Sequence, residues 1–152
     1  MNADILPELE TATFITALYG FLDPSQHVFR FVRCGHTFPV FYHAATRTVE
    51  EVASDGLVLG SVREPKFSNK TKLKEVALEP GDSVTLFTDG ITEAMTKDSE
   101  EFGPEATRAA IERHGPTTAK GIIEGLIGAI RIFTGGHPQA DDQTLIVIRR
   151  NA

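Results

Sequence analysis

Apolar residues in this chain come in short runs broken by turn residues, and only toward the C-terminus do they fall at helical spacing. The first run, Ala12 to Leu22, is β-branched, aromatic or small, which predicts one long strand with both faces largely buried. Asp23-Pro24-Ser25-Gln26 predicts a turn, and Val28 to Val32 the return strand of a hairpin, with Arg30 and Arg33 as polar exceptions. Cys34-Gly35-His36 interrupts the pattern and Pro39-Val40-Phe41-Tyr42 resumes it. A glycine there predicts a bulge or the close approach of another backbone. Thr46 to Val52 reads as an edge strand, Asp55-Gly56 as a turn, and Lys72 to Leu78 alternates as a strand does. Lys66, Lys70, Lys72 and Lys74 read as a solvated face. Glu79-Pro80-Gly81-Asp82 has Pro and Gly in the order a tight turn favours, and it feeds a strand over Ser83 to Thr88.

The pattern then changes period. Ile91 to Met95 reads as the start of a helix. Pro104 suits the opening of another, whose thin apolar face is Ala106, Ala109 and Ala110 and which Gly115-Pro116 ends. Thr117 or Thr118 can cap the next helix. Ile122, Ile123, Leu126, Ile127, Ile130 and Phe133 give it one packing face. Gly121, Gly125 and Gly128 weaken it by ~1 kcal/mol each against Ala, which implies close packing against a neighbour. Gly135-Gly136 stops it, and Thr144 to Ile148 is the closing strand. Met1 to Glu10 is polar, carries Pro7 and reads as a loop. Strands first, then helices, then a last strand make the fold class α+β.

Bulk properties narrow the function. The 152 residues suit one domain. A net charge of -6 argues against nucleic acid as the main partner, because phosphate binding needs a basic face. The one cysteine, Cys34, allows no internal disulfide and reads as a small core residue. No apolar run approaches the ~20 residues of a membrane span and no signal peptide opens the chain, so the cytoplasm is the default location.

Candidate chemistry centres on Leu86-Phe87-Thr88-Asp89-Gly90, where an apolar strand ends in an acidic corner. A second acidic edge, Asp141-Asp142, precedes the closing strand. Two such edges predict one metal site at the rim of a sheet; an Asp-Gly turn with a helix cap is the plain alternative. His36 reads as a metal ligand, a phosphate contact or a packed turn residue.

Several segments together are similar to the bacterial metal-dependent serine/threonine phosphatases of the PPM/PP2C type, in the SpoIIE and RsbU branch. They are Phe14-Ile15-Thr16-Ala17-Leu18-Tyr19 with Leu22-Asp23-Pro24; Cys34-Gly35-His36; Leu59-Gly60; Leu78-Glu79-Pro80-Gly81-Asp82; Phe87-Thr88-Asp89-Gly90-Ile91-Thr92-Glu93-Ala94; Phe102-Gly103; and Ala140-Asp141-Asp142-Gln143-Thr144-Leu145. They stand in the family's order over nearly the whole chain, so residues 1–152 resemble a single domain of that type. The resemblance implies an α-β-β-α sandwich of mostly antiparallel strands, with two C-terminal helices before the last strand. It implies two Mn²⁺ or Mg²⁺ ions and water attack on a phosphoserine or phosphothreonine, with no catalytic side-chain nucleophile. Asp89 and Asp141 match metal ligands. Asp142 matches an orienting residue, and Gly90, Gly35 and His36 lie near the site. Cys34 stands where the family has Ala and Arg33 where it has Asn. The family's Gly-Asp-Val-x-Gly-x-Gly segment, whose Asp bridges both metals, has no match here, so the domain is expected to lack its N-terminal portion. The resemblance implies a phosphorylated protein substrate of the anti-sigma factor antagonist type. The alternatives are a catalytically impaired half-domain that serves as a binding or regulatory module, and a fragment with no independent role. Apolar surface left bare would favour a homo-oligomer.

Overall fold

The hairpin expected at the start of the chain forms. In the computed structural model, which describes residues 1–9 and 13–151, β1 (Ala17–Asp23) pairs antiparallel with β2 (Val28–Cys34), from Ala17↔Cys34 to Asp23↔Val28. Asp23 Oδ1 closes the turn by accepting from the Ser25 and Gln26 N–H groups and from the Ser25 hydroxyl. The chain divides into two compact units: Met1–Phe38 with Ala53–Ala77, and Pro39–Val52 with Leu78–Ala152.

In the first unit, β5 (Leu73–Ala77) joins the free side of β2, giving a three-stranded sheet in the order β1-β2-β5. Cys34, Leu59 and Phe67 form its buried cluster, with Ile5, Ala17, Val32, Leu57 and Val62 against them. Phe67 comes from the short α2 (Lys66–Lys70). Three expectations change here. The first strand is shorter than Ala12 to Leu22: Ile15 makes only an isolated bridge to Leu59, and Ala12 lies outside the described residues. Nor is it buried on both faces, since Tyr19 is 70% and Phe21 60% exposed. The register explains this: Phe21 lies opposite Arg30, and Arg30 opposite Glu75, so its neighbours on that face are an ion pair that keeps water close. The stretch before Glu10, itself outside the described residues, holds α1 (Asn2–Ile5) and a 3₁₀ turn (Leu6–Glu8) rather than a bare loop. Buried Asn2 anchors it: Nδ2 donates to the Val62 carbonyl and Oδ1 accepts from the Gly60 N–H.

The second unit is an antiparallel sheet of β3 (Val40–His43), β4 (Thr48–Glu51), β6 (Ser83–Phe87) and β7 (Leu145–Arg149), in the order β4-β3-β6-β7. Two helices, α3 (Gly103–His114) and α4 (Ala119–Thr134), supply the rest of its core together with Ile91, Ala94 and Phe102 from the segment after β6. Val40, Phe87, Ile91, Ile111, Leu126 and Ile130 meet in one buried cluster. Each such side chain contributes roughly 1.5–3 kcal/mol of hydrophobic stabilisation. Thr118 caps α4 by accepting from the Gly121 N–H, and Gly135 ends it in the left-handed conformation at φ 59°. The close packing expected of the α4 glycines holds at Gly125, where an added Cβ would fall 2.2 Å from the His114 ring. It does not hold at Gly128, where a Cβ would meet nothing within 4 Å.

Cys34-Gly35-His36 is not a bulge in one strand. β2 ends at Cys34 and β3 belongs to the other sheet, so the segment is a crossover, turned at Gly35 by a φ of 72°. Ile91 to Met95 does not start an α-helix either. After β6 comes a 3₁₀ turn (Asp89–Ile91), and the following backbone is spent across the loop instead: Phe102 N–H donates to Ala94 O and Gly103 N–H to Thr92 O.

Candidate metal-binding loops

β6 and β7 are neighbours, paired from Ser83↔Arg149 to Phe87↔Leu145, so the residues just beyond Phe87 and just before Leu145 must meet at one end of the sheet. Thr88 ties them. Its N–H donates to Thr144 O at 3.1 Å, its hydroxyl donates to Asp142 O at 2.8 Å, and the same hydroxyl accepts from the Thr144 N–H at 2.9 Å. Gln143 Nε2 adds a bond to Gly90 O at 3.1 Å. Gly90 is buried, and a Cβ there would lie 2.5 Å from Asp142 O and 3.2 Å from Asp141 O. Its glycine is explained by this close approach of two backbones.

Asp89 opens the 3₁₀ turn, and Asp141 and Asp142 stand in the facing loop. All three are exposed. Asp89 Oδ1 accepts from the Gly90 N–H at 3.2 Å, and Asp141 Oδ1 from the Asp142 N–H at 2.7 Å. Among the described residues, Oδ2 of each accepts no hydrogen bond. Thr92 Oγ1 and the Glu93 N–H hold the Asp89 carbonyl, and Gln139 Nε2 holds that of Asp141. The backbones that carry the carboxylates are thus held by hydrogen bonds while one oxygen of each has no hydrogen-bond partner among the described residues.

These are hard oxygen donors, the class that Mn²⁺ and Mg²⁺ take. Among the described residues, however, no group of three or more His, Cys, Asp or Glu side chains could hold a metal ion. The donor set therefore fits part of one coordination shell and does not fill a two-metal centre. Gly35 and His36 belong to the first unit. There a Cβ on Gly35 would fall 2.1 Å from Val58 Cγ1, and the His36 carbonyl accepts from Arg33 Nη1 at 2.8 Å. The clamp residues Thr88 and Gln143 were not anticipated as site residues. Their signal was present, since Thr88 precedes Asp89 and Gln143 follows Asp141-Asp142, each at a strand end.

Among the described residues no helix is long and apolar enough to cross a membrane. The family model for "Stage II sporulation protein E (SpoIIE)" matches residues 1–151. The phosphoserine phosphatase RsbU of Bacillus subtilis is 27% identical over 150 residues, which cover 99% of this chain and 43% of RsbU. The chain therefore spans less than half the length of that relative. Among solved structures, the SiaA-PP2C domain of Pseudomonas aeruginosa superposes with a TM-score of 0.76 at 21% identity, over 97% of this chain and 56% of that one. The phosphatase domain of the cell fate determinant SpoIIE from Bacillus subtilis, presoaked with Mn, gives a TM-score of 0.69 at 19% identity, over 98% and 63%. At such identities the two structures establish the fold.

Proposed function

The chain belongs to the SpoIIE family, with a fold of the SpoIIE/RsbU-type PP2C class, and from that premise we propose that it serves a metal-dependent protein serine/threonine phosphatase acting on a phosphorylated regulatory protein, of the anti-sigma factor antagonist type. The observation that carries this reading is the clamp between the Asp89 turn and the Asp141-Asp142 loop, which brings acidic residues from two strand ends to one place. In the proposal Asp89 and Asp141 are ligands of Mn²⁺ or Mg²⁺, and Asp142 orients Asp141. When bound, the metal supplies the positive charge that activates water and neutralises a phosphoryl group. The part of this chain is to hold carboxylate oxygens open on rigid backbone, so that no loop has to be ordered when the ligand arrives.

A second reading is favoured by the donor set itself. Asp89 and Asp141 as the only two ligand carboxylates among the described residues are too few to hold a pair of divalent ions, which repel each other unless bridged by negative charge. The chain by itself would then be a protein-binding or regulatory module with little turnover. Calorimetric Mn²⁺ titration and hydrolysis of a phosphoserine protein separate the two. Asp89→Asn and Asp141→Asn should each weaken Mn²⁺ binding more than Asp142→Asn does, since losing a positioning partner costs ~10–100-fold. Equal or reversed effects would overturn the assignment of the pair. The wild-type chain should show little turnover in millimolar Mn²⁺; robust turnover abolished by Asp89→Asn would refute the second reading.

A further inference from the structure

In the first unit a cleft of about 420 Å³ is lined by Arg33, Phe38, Ser54, Asp55, Lys72 and Lys74, among others. Those six residues carry three cations and one carboxylate, in a chain whose net charge is -6. The β2–β5 register accounts for the gathering. Val32 faces Leu73 and Phe31 faces Lys74, so continuing the ladder brings Arg33 beside Lys72. The Lys72 N–H donates to Asp55 O at 3.2 Å, which draws the 53–55 loop alongside. Gly56 permits this: a Cβ there would fall 1.6 Å from the Arg33 carbonyl oxygen.

Arg33 is the fixed part of the cleft. Nε and Nη2 both donate to the Ser54 carbonyl, at 3.0 and 2.8 Å, and Nη1 donates to the His36 carbonyl at 2.8 Å. Its guanidinium carbon lies 4.3 Å from the centre of the Phe38 ring. These bonds are all to neutral carbonyls, and among the described residues no carboxylate forms an ion pair with this charge. Each terminal nitrogen has two N–H groups and spends one, leaving one on Nη1 and one on Nη2. A planar cation held in one orientation with an N–H left on each terminal nitrogen suits an acceptor with two oxygens. Lys72 and Lys74 are exposed, and neither forms an ion pair among the described residues.

We propose that this cleft binds an oxyanion presented by a protein partner: a phosphate or carboxylate on an exposed peptide segment. Arg33 would supply directed hydrogen bonds, Lys72 and Lys74 mobile charge at the rim, and Phe38 an apolar wall. A single oxyanion matches a local excess of positive charge on an acidic protein, whereas a polyanion would meet repulsion from the rest of it. The site does not depend on the metal reading above, and its test is run without metal.

The test uses the 152-residue chain in EDTA and three fluorescein-labelled peptides, Gly-Ala-Xaa-Ala-Gly with Xaa as phosphoserine, glutamate or serine, read by fluorescence anisotropy. At least one anionic peptide should bind ~tenfold or more tighter than the serine peptide, and its affinity should fall as salt rises. Which of the two binds identifies the source of the oxyanion. The Lys72→Gln/Lys74→Gln double variant alters only exposed side chains and should lose about fivefold or more of that affinity. Arg33→Lys keeps the charge but loses the fork and should lose ~tenfold. Equal binding of all three peptides, or unchanged binding by the lysine double variant, overturns the proposal. Affinity lost in these variants but kept in Asp89→Asn separates this cleft from the acidic loops.

Discussion

Two glycines with opposite surroundings give a test in which the sign of the effect is fixed by geometry. At Gly90 an added Cβ would meet Asp142 O at 2.5 Å, Asp142 C at 3.1 Å and Asp141 O at 3.2 Å. These are backbone atoms, and Thr88 Oγ1 holds Asp142 O while Gln139 Nε2 holds Asp141 O, so they cannot swing aside as the tip of a side chain can. Overpacking of this kind costs ~1–3 kcal/mol. For a chain of this size 1 kcal/mol shifts Tm by roughly 2–4 °C, so Gly90→Ala should lower Tm by about 4–8 °C if the cost is near the middle of that range. At Gly128, inside α4, a Cβ would meet nothing within 4 Å. There alanine removes conformational freedom from the unfolded chain at no steric cost, a gain of ~0.5–1 kcal/mol, or about 1–4 °C in Tm. Thermal unfolding followed by circular dichroism on both variants suffices. Gly90→Ala as stable as wild type would refute the claim that the two acidic loops are in backbone contact. A destabilised Gly128→Ala would mean that something covers that face of α4.

Two further outcomes follow from buried groups. Asp82 is 5% exposed and accepts from the Ala44 N–H at 2.8 Å and the Glu79 N–H at 2.9 Å, so Asp82→Ala leaves two backbone donors unpaired and should cost ~1–3 kcal/mol in urea unfolding; a change within error would mean water replaces the carboxylate there. Burial pushes the Cys34 thiol above its ordinary pKa, and the residue is 3% exposed, so Ellman's reagent at pH 8 should label it only in denaturant; immediate labelling of the folded chain would show that the cluster with Leu59 and Phe67 opens readily.

Where local chemistry alone determined the structure, the sequence was easy to read. The Glu79-Pro80-Gly81-Asp82 turn forms with Gly81 at φ 91° and the Asp82 N–H on Glu79 O, and the α4 boundaries follow from Thr118 and Gly135. The α+β order was legible from the change of period along the chain, and the two acidic strand ends fall on neighbouring strands because β6 pairs with β7. The misreadings share a cause: a partner distant in sequence decided the outcome. Tyr19 and Phe21 look like core residues until the register sets Phe21 beside Arg30 and Glu75. Gly35 looks like a bulge until β2 and β3 are assigned to different sheets. Ile91 to Met95 has helical residues, but Phe102 and Gly103 claim its carbonyls from across the loop. Asp55-Gly56 reads as a turn, whereas its glycine is required by the Arg33 backbone.

The clamp between the acidic loops also bears on what a ligand would have to do. Thr88 is donor and acceptor at once through a single hydroxyl, and Gln143 reaches back to Gly90 O, so every bond that joins the loops comes from neutral groups of the chain. None uses a carboxylate oxygen of Asp89, Asp141 or Asp142. The loops are therefore held to each other by hydrogen bonds that leave the three carboxylates out of the joint. In the proposed reading a cation arriving there would have little backbone to order. Metal binding should thus leave the loops largely unchanged, and removal of Mn²⁺ should leave the Thr88 and Gln143 contacts intact. A partner that contributed a further carboxylate to this rim would meet loops already in position.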